Sequence, residues 1–186
     1  MSGYELLAIV VFFLIGYWIV DYFWPKKKAA APAAGERVEV RVSRRFEAPP
    51  ERVFDAWLDP QTAGKWLFAT PAGEMVRVEI DARVGGRFVF VDRRSGEDIE
   101  HTGEYLEIDR PKRLAFSFVV PRFSSEPSRI QVELAPAASS PGTTLLTLLH
   151  EGVFAEFAGR TEEGWASILE GLERSLAGLS ESVPKG

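Results

Sequence analysis

Three side chains of this sequence combine useful chemistry with a place on an inward-facing strand pattern: His101, Tyr105 and His150. His101 follows Glu100 and His150 precedes Glu151, so each histidine has a carboxylate beside it in sequence. Adjacent residues of a strand point to opposite faces, and neither pair makes a dyad. General acid–base catalysis needs groups that converge within hydrogen-bond reach of one reacting atom, and this spacing does not provide them. The chain has no cysteine, which excludes disulfides, thiolate nucleophiles and thiolate metal sites. With only 2 histidines, a histidine-based metal site is not expected either. No Gly-rich phosphate loop, nucleophile elbow or paired-carboxylate signature occurs. The expectation is a non-catalytic protein that needs no cofactor and no metal.

The elements that must position these side chains follow from periodicity. Val38, Val40 and Val42 alternate with charged residues, and Phe46 continues that parity past an interruption at Arg44. Ala48-Pro49-Pro50-Glu51 opens a helix carrying Val53, Phe54 and Trp57 on one face; Asp59-Pro60 stops it. A second short helix is expected over 61–66, ending on Trp66 beside the loop 67–73. Strands follow over 75–80, 87–91, 99–108, 113–120, 129–134 and 143–150, with 93–98 as a charged hairpin loop. Short connections between consecutive strands predict one curved antiparallel meander. The last element is a long amphipathic helix with Trp165, Ile168, Leu169, Leu172, Leu176 and Leu179 in one stripe. Gly164, Gly171 and Gly178 recur beside it, predicting either close backbone approach to the sheet or room for a ligand.

Composition narrows the partners. The 186 residues carry a formal net charge of −5, which argues against a nucleic-acid surface. Residues 4–24, YELLAIVVFFLIGYWIVDYFW, hold no charge between Leu6 and Val20 and are followed by Pro25 and Lys26-Lys27-Lys28. About 20 helical residues cross a ~30 Å hydrocarbon layer, so residues 1–25 are expected to form one transmembrane helix. The lysines mark the cytoplasmic side and the tyrosines and tryptophans suit the interfaces. Localisation is therefore expected in a membrane (the inner one in a bacterium), with the N-terminus outside and the domain cytoplasmic. A signal peptide and a buried globular helix are the rival readings. Both fit less well, because no basic residue precedes the apolar run and a basic cluster follows it. Residues 26–35 read as a basic, Ala/Pro linker and 36–182 as one domain. Phe13, Tyr17, Trp18, Tyr22 and Trp24 offer more aromatic surface than tethering needs, including i,i+4 pairs suited to a neighbouring membrane helix.

Four stretches carry a resemblance: FEAPPERVFDAWLDP (46–60), DARVGGRFVF (81–90), GEYLEIDRPKRLAFSF (103–118) and LLTLLHEGVF…EEGWASILEGLERSL (145–176). In this order they resemble the family of activators of heat-shock-protein ATPase and their bacterial homologues, within the START-like superfamily. The resemblance implies an α+β helix-grip fold, β-α-α-β6-α, whose curved antiparallel sheet surrounds the C-terminal helix; here one transmembrane helix would precede it. It also implies a cavity between sheet and helix, and it brings no universal catalytic residue.

Strand parity nominates the lining of such a cavity: Phe88 and Phe90; His101 and Tyr105; Phe116 and Phe118; Leu148 and His150. Trp165, Leu169 and Leu172 would close it from the helix, with Trp66 at its edge. Two functions follow as expectations. In the first, the chain is an accessory subunit whose span docks among other integral membrane proteins while the domain caps the cytoplasmic face. In the alternative, it is a membrane-tethered module that binds a lipid, quinone, pigment or other apolar small molecule. An anchored co-chaperone-like domain is a third.

Overall fold

The computed structural model of the protein describes residues 35–70, 72–137 and 142–181. The expected transmembrane helix, with its candidate contacts Phe13, Tyr17, Trp18, Tyr22 and Trp24, lies outside the described residues. Among the described residues no helix is long and apolar enough to cross a membrane.

The element order is β1 (Arg37–Phe46), α1 (Pro50–Leu58), α2 (Pro60–Ala63), β2 (Glu74–Ile80), β3 (Arg87–Arg94), β4 (Glu97–Asp109), β5 (Arg113–Phe118), β6 (Ser128–Pro136), β7 (Thr144–Phe154), a single 3-10 turn (Ala155–Phe157) and α3 (Ala158–Glu181). The seven strands form one antiparallel sheet in the order β1-β7-β6-β5-β4-β3-β2. Apolar residues of the sheet's inner face meet α1 and α3 in one core. On α3, Trp165, Leu169, Leu172 and Leu176 are buried at steps of three and four, the spacing that gives a helix one apolar face.

Several local outcomes differ from the sequence reading for identifiable reasons. The charged stretch 93–98 is not a loop: β3 and β4 run on to a two-residue turn, Ser95-Gly96, with φ of 50° and 80°. Positive φ at both central residues is the turn that matches strand twist. Arg93 and Asp98 face each other across the hairpin and pair through two hydrogen bonds of 2.6 and 3.0 Å. The expected helix over 61–66 begins and ends earlier. Pro60 occupies its start, the Asp59 side chain accepts from the Thr62 N–H at 3.0 Å, and the chain leaves the helix after Ala63. Strand β5 ends at Phe118, two residues short of the expected end, whereas β7 runs four residues past His150 to Phe154.

Arg44, which interrupted the parity of β1, has a structural reason to stand there. Its guanidinium reaches α3, with Nε 3.2 Å from Glu173 and Nη1 3.5 Å from Glu170. It thereby latches the first strand to the last helix. Gly103 on β4 lies opposite Phe88, and a methyl group there would stand 1.8 Å from the Ser117 carbonyl and 2.7 Å from the Phe88 ring. Neither backbone nor a buried ring can yield cheaply. Gly103→Ala is expected to lower unfolding stability by about 1–3 kcal/mol, read as a drop in the urea midpoint.

Candidate functional site

The sequence-nominated residues separate into two neighbouring groups joined by Phe88, with Leu148, Leu169 and Leu172 fully buried in the core around them. In the first group Tyr105 and Phe116 pack on Phe88 at 5.5 Å, and Phe116 lies 6.2 Å from Trp57. Trp66 stands edge-on to Trp57 at 4.7 Å and donates its Nε1–H to the Ala56 carbonyl at 3.3 Å. Burial pushes the Tyr105 phenol up from its ordinary value. The void among Trp57, Leu67, Phe88, Tyr105, Leu114 and Phe116 is about 10 Å³. That is space for no more than one water molecule.

The second group contains both histidines. His150 sits within β7, 3.0 Å from Trp165 Nε1 through Nδ1 and 2.7 Å from Ser128 Oγ through Nε2. An indole nitrogen can only donate, so Nδ1 is the unprotonated atom and Nε2–H donates to Ser128. The Ser128 hydroxyl in turn donates to the Phe118 carbonyl at 3.1 Å. Every atom of this relay is satisfied with a neutral imidazole. Burial agrees, pushing the His150 pKa down to about 4. A ring so committed has no free nitrogen to abstract or deliver a proton.

His101 stacks on Phe68 with ring centres 4.7 Å apart and planes 6° from parallel. Burial, aided by the Arg94 charge and opposed by Asp92, pushes its pKa down to about 4. Its Nδ1 is buried without a hydrogen-bond partner. Phe118 lies beside it and also stacks on Phe68, at 5.1 Å, while Phe90 and Trp165 meet Phe68 edge-on at 5.5 and 6.0 Å.

Phe68 is the residue that strand parity could not find. It belongs to the connection between α2 and β2, yet it is only 4% exposed and stands at the centre of the aromatic cluster. Its φ is +59°, a left-handed conformation that bulky residues avoid. The connection is pinned from behind: Thr70 donates to Asp92 at 2.8 Å, Arg94 pairs with the same carboxylate, and Arg94 Nη2 reaches the Phe68 carbonyl at 3.5 Å. The only sequence signal was a pair of large apolar residues, Leu67-Phe68, at the head of a loop otherwise rich in small residues.

Leu67 and Phe68 are thus buried against the sheet, and Phe68 packs between its aromatic residues and Trp165 of α3. On the glycine line beside the stripe, a Cβ at Gly171 would lie 3.2 Å from Trp66 Cβ, so that glycine seats the connection after α2 and not the sheet; Gly164 and Gly178 have no neighbour within 4 Å. His101 and His150 share the cluster, but Phe118, Phe68 and Trp165 stand around them. The carboxylate beside His150 is engaged elsewhere: Glu151 accepts from Gln131 and pairs with Arg129. Among the described residues no group of histidine and acidic side chains is arranged to hold a metal ion.

Comparison with known proteins matches residues 47–177 to the family model described as Activator of Hsp90 ATPase homolog 1-like protein. No curated protein gives a match. Among solved structures, protein CV1439 from Chromobacterium violaceum is 28% identical with a TM-score of 0.64, covering 73% of this chain and 95% of its own. Protein Mll3558 from Rhizobium loti is 26% identical with a TM-score of 0.63, covering 77% and 99%. The AHSA1-like protein from Aeromonas hydrophila, at 22% identity and a TM-score of 0.65 over 80% and 99%, shares the fold.

Proposed function

The chain belongs to the Activator of Hsp90 ATPase homolog 1-like family, and from that premise we propose a non-catalytic role, as a single-pass membrane-anchored accessory subunit of a larger membrane protein complex. The observation that carries this reading is the filled interior. The void beside Trp57 of α1 and Leu67, bounded by Phe88, Tyr105, Leu114 and Phe116, is about 10 Å³, far below the several hundred Å³ of a small-molecule site. Both histidines are neutral and enclosed in aromatic rings. These features support a domain that acts through its surface. The apolar segment 4–24, with Phe13, Tyr17, Trp18, Tyr22 and Trp24, supplies the second contact, inside the bilayer, with other integral membrane proteins. The domain then stands on the cytoplasmic side.

The test is a chain whose residues 4–24 are replaced by a leucine/alanine span of equal length. It is expected to remain in the membrane fraction and to lose its partners, as read by crosslinking and mass spectrometry. Unchanged partners would sink the proposal.

A second reading, the tethered binding module for an apolar molecule, is favoured by one observation: the left-handed Phe68 beside an unpartnered His101 Nδ1. A strained ring over an unsatisfied polar atom is a plug that a flat apolar ligand with one polar edge could replace. Native mass spectrometry of the intact chain decides between the two, since a ligand adds a small-molecule mass and a subunit adds a protein. An anchored co-chaperone-like role is the same surface-directed reading with a soluble partner.

A further inference from the structure

We propose that one end of the sheet is a lipid-docking face, seated on the bilayer interface through Phe123 and Phe157. The inference rests on the anchored reading above and extends it from the span to the domain. Phe123, in the β5–β6 loop, is 63% exposed, and Phe157, in the turn before α3, is 38% exposed. Phe154 stands edge-on to Phe157 at 6.5 Å. The Arg37 guanidinium lies 4.2 Å over the Phe154 ring and that of Arg160 lies 4.9 Å over Phe157. Arg37 also pairs with Glu126 and donates to the Gly152 carbonyl at 2.9 Å, which ties the β5–β6 loop to the end of β7. Arg122, next to Phe123, pairs with Glu97 at 2.8 Å and so brings the start of β4 to the same end.

This is also the end where the chain enters the domain. Arg37 pairs with Phe154 in the first register position of β1 and β7, and the Ala155 N–H donates to the Glu36 carbonyl at 2.9 Å. The apolar segment closes at Trp24, leaving 25–35 as the connection. Eleven residues reach at most ~40 Å when fully extended. The chain enters the domain at the end that carries Phe123 and Phe157. Tethering at that range gives an effective concentration on the order of mM, so even a weak surface is largely docked.

The chemistry is that of an interface-seeking patch, with exposed rings to enter the headgroup boundary and guanidiniums stacked over rings beside them. The charges at this end are mixed, with Glu36, Glu126 and Glu156 among the arginines. Ring insertion, not net charge, drives the docking, and zwitterionic phosphatidylcholine suffices.

The cysteine-free chain allows single nitroxide labels on the full-length protein in phosphatidylcholine nanodiscs. The sites are Phe123→Cys, Phe157→Cys and, as reference, Val84→Cys. Val84 is 60% exposed in the β2–β3 turn, next to Gly85, whose N–H donates to the Tyr105 carbonyl, towards the opposite end of β4. The expected result is that labels at 123 and 157 collide with oxygen and are shielded from a water-soluble nickel chelate, while the label at 84 does the reverse. If the protein sits in the discs with 123 and 157 as open to nickel as 84, the docking face is overturned and the anchor stands. If the protein does not enter the discs at all, the anchored reading falls and the docking face with it.

Discussion

Phe68→Ala is expected to cost about 3–5 kcal/mol of unfolding stability, the range for removing a large buried aromatic side chain. The ring touches His101 on β4, Trp165 on α3 and the phenylalanines of β3 and β5 at once. A second substitution separates packing from backbone strain. Glycine in place of alanine normally costs a further 0.5–1 kcal/mol or so through chain entropy. At φ +59° an L-residue instead pays about 1–2 kcal/mol that glycine does not. Phe68→Gly is therefore expected to be no less stable than Phe68→Ala. The His101 ring, uncovered in either variant, should titrate closer to 6.5 than to its buried value of about 4. Urea denaturation and histidine NMR titration read these effects. An alanine variant within 1 kcal/mol or so of the native chain would mean that Phe68 is a bystander.

Acidification should destabilise the domain well before its carboxylates titrate. Both histidines have folded-state pKa values of about 4 against 6.5 for the free side chain. The unfolded chain thus binds protons that the folded one refuses. Stability from these groups is complete above pH 6.5 and is lost as the pH falls from there towards 4. Each contributes about 3 kcal/mol over the full interval and about 2 kcal/mol by pH 5. The cause is specific. A doubly protonated His150 would turn the Trp165 N–H bond into a donor–donor clash, and a charged His101 would sit beside Arg94 in an aromatic stack. Urea midpoints at pH 7 and pH 5 measure the loss. The double variant His101→Phe/His150→Gln, which extends the stack and keeps an amide acceptor and donor, should be flat over that range. A native chain equally stable at both pH values would contradict the neutral, buried assignment.

Much of the fold was legible because its signals are periodic. Alternation in β1, β3 and β6 and the three-four spacing of Trp165, Leu169 and Leu172 are each forced by one buried face. Parity even placed His101, Phe118, His150 and Trp165 together, although Ser128, the residue that completes the His150 relay, is 22 positions away and is found only through strand register. What escaped were features set by a single turn or by tertiary contact. The hairpin over 93–98 read as a loop because every outward residue is charged, and the signal that mattered was Ser95-Gly96. Phe68 escaped because its burial depends on one left-handed backbone angle and on a connection pinned by Asp92 and Arg94. That connection, which buries Leu67 and Phe68, is a segment with no period to read.

We propose that the chain is a membrane-anchored subunit whose domain works by its surface. Native mass spectrometry of the full-length protein, released from its own membrane in mild detergent, tests it most directly. The prediction is a species heavier than the 20.7 kDa chain by the mass of one or more integral membrane proteins. A bare 20.7 kDa monomer, or one carrying only a small molecule, would contradict it.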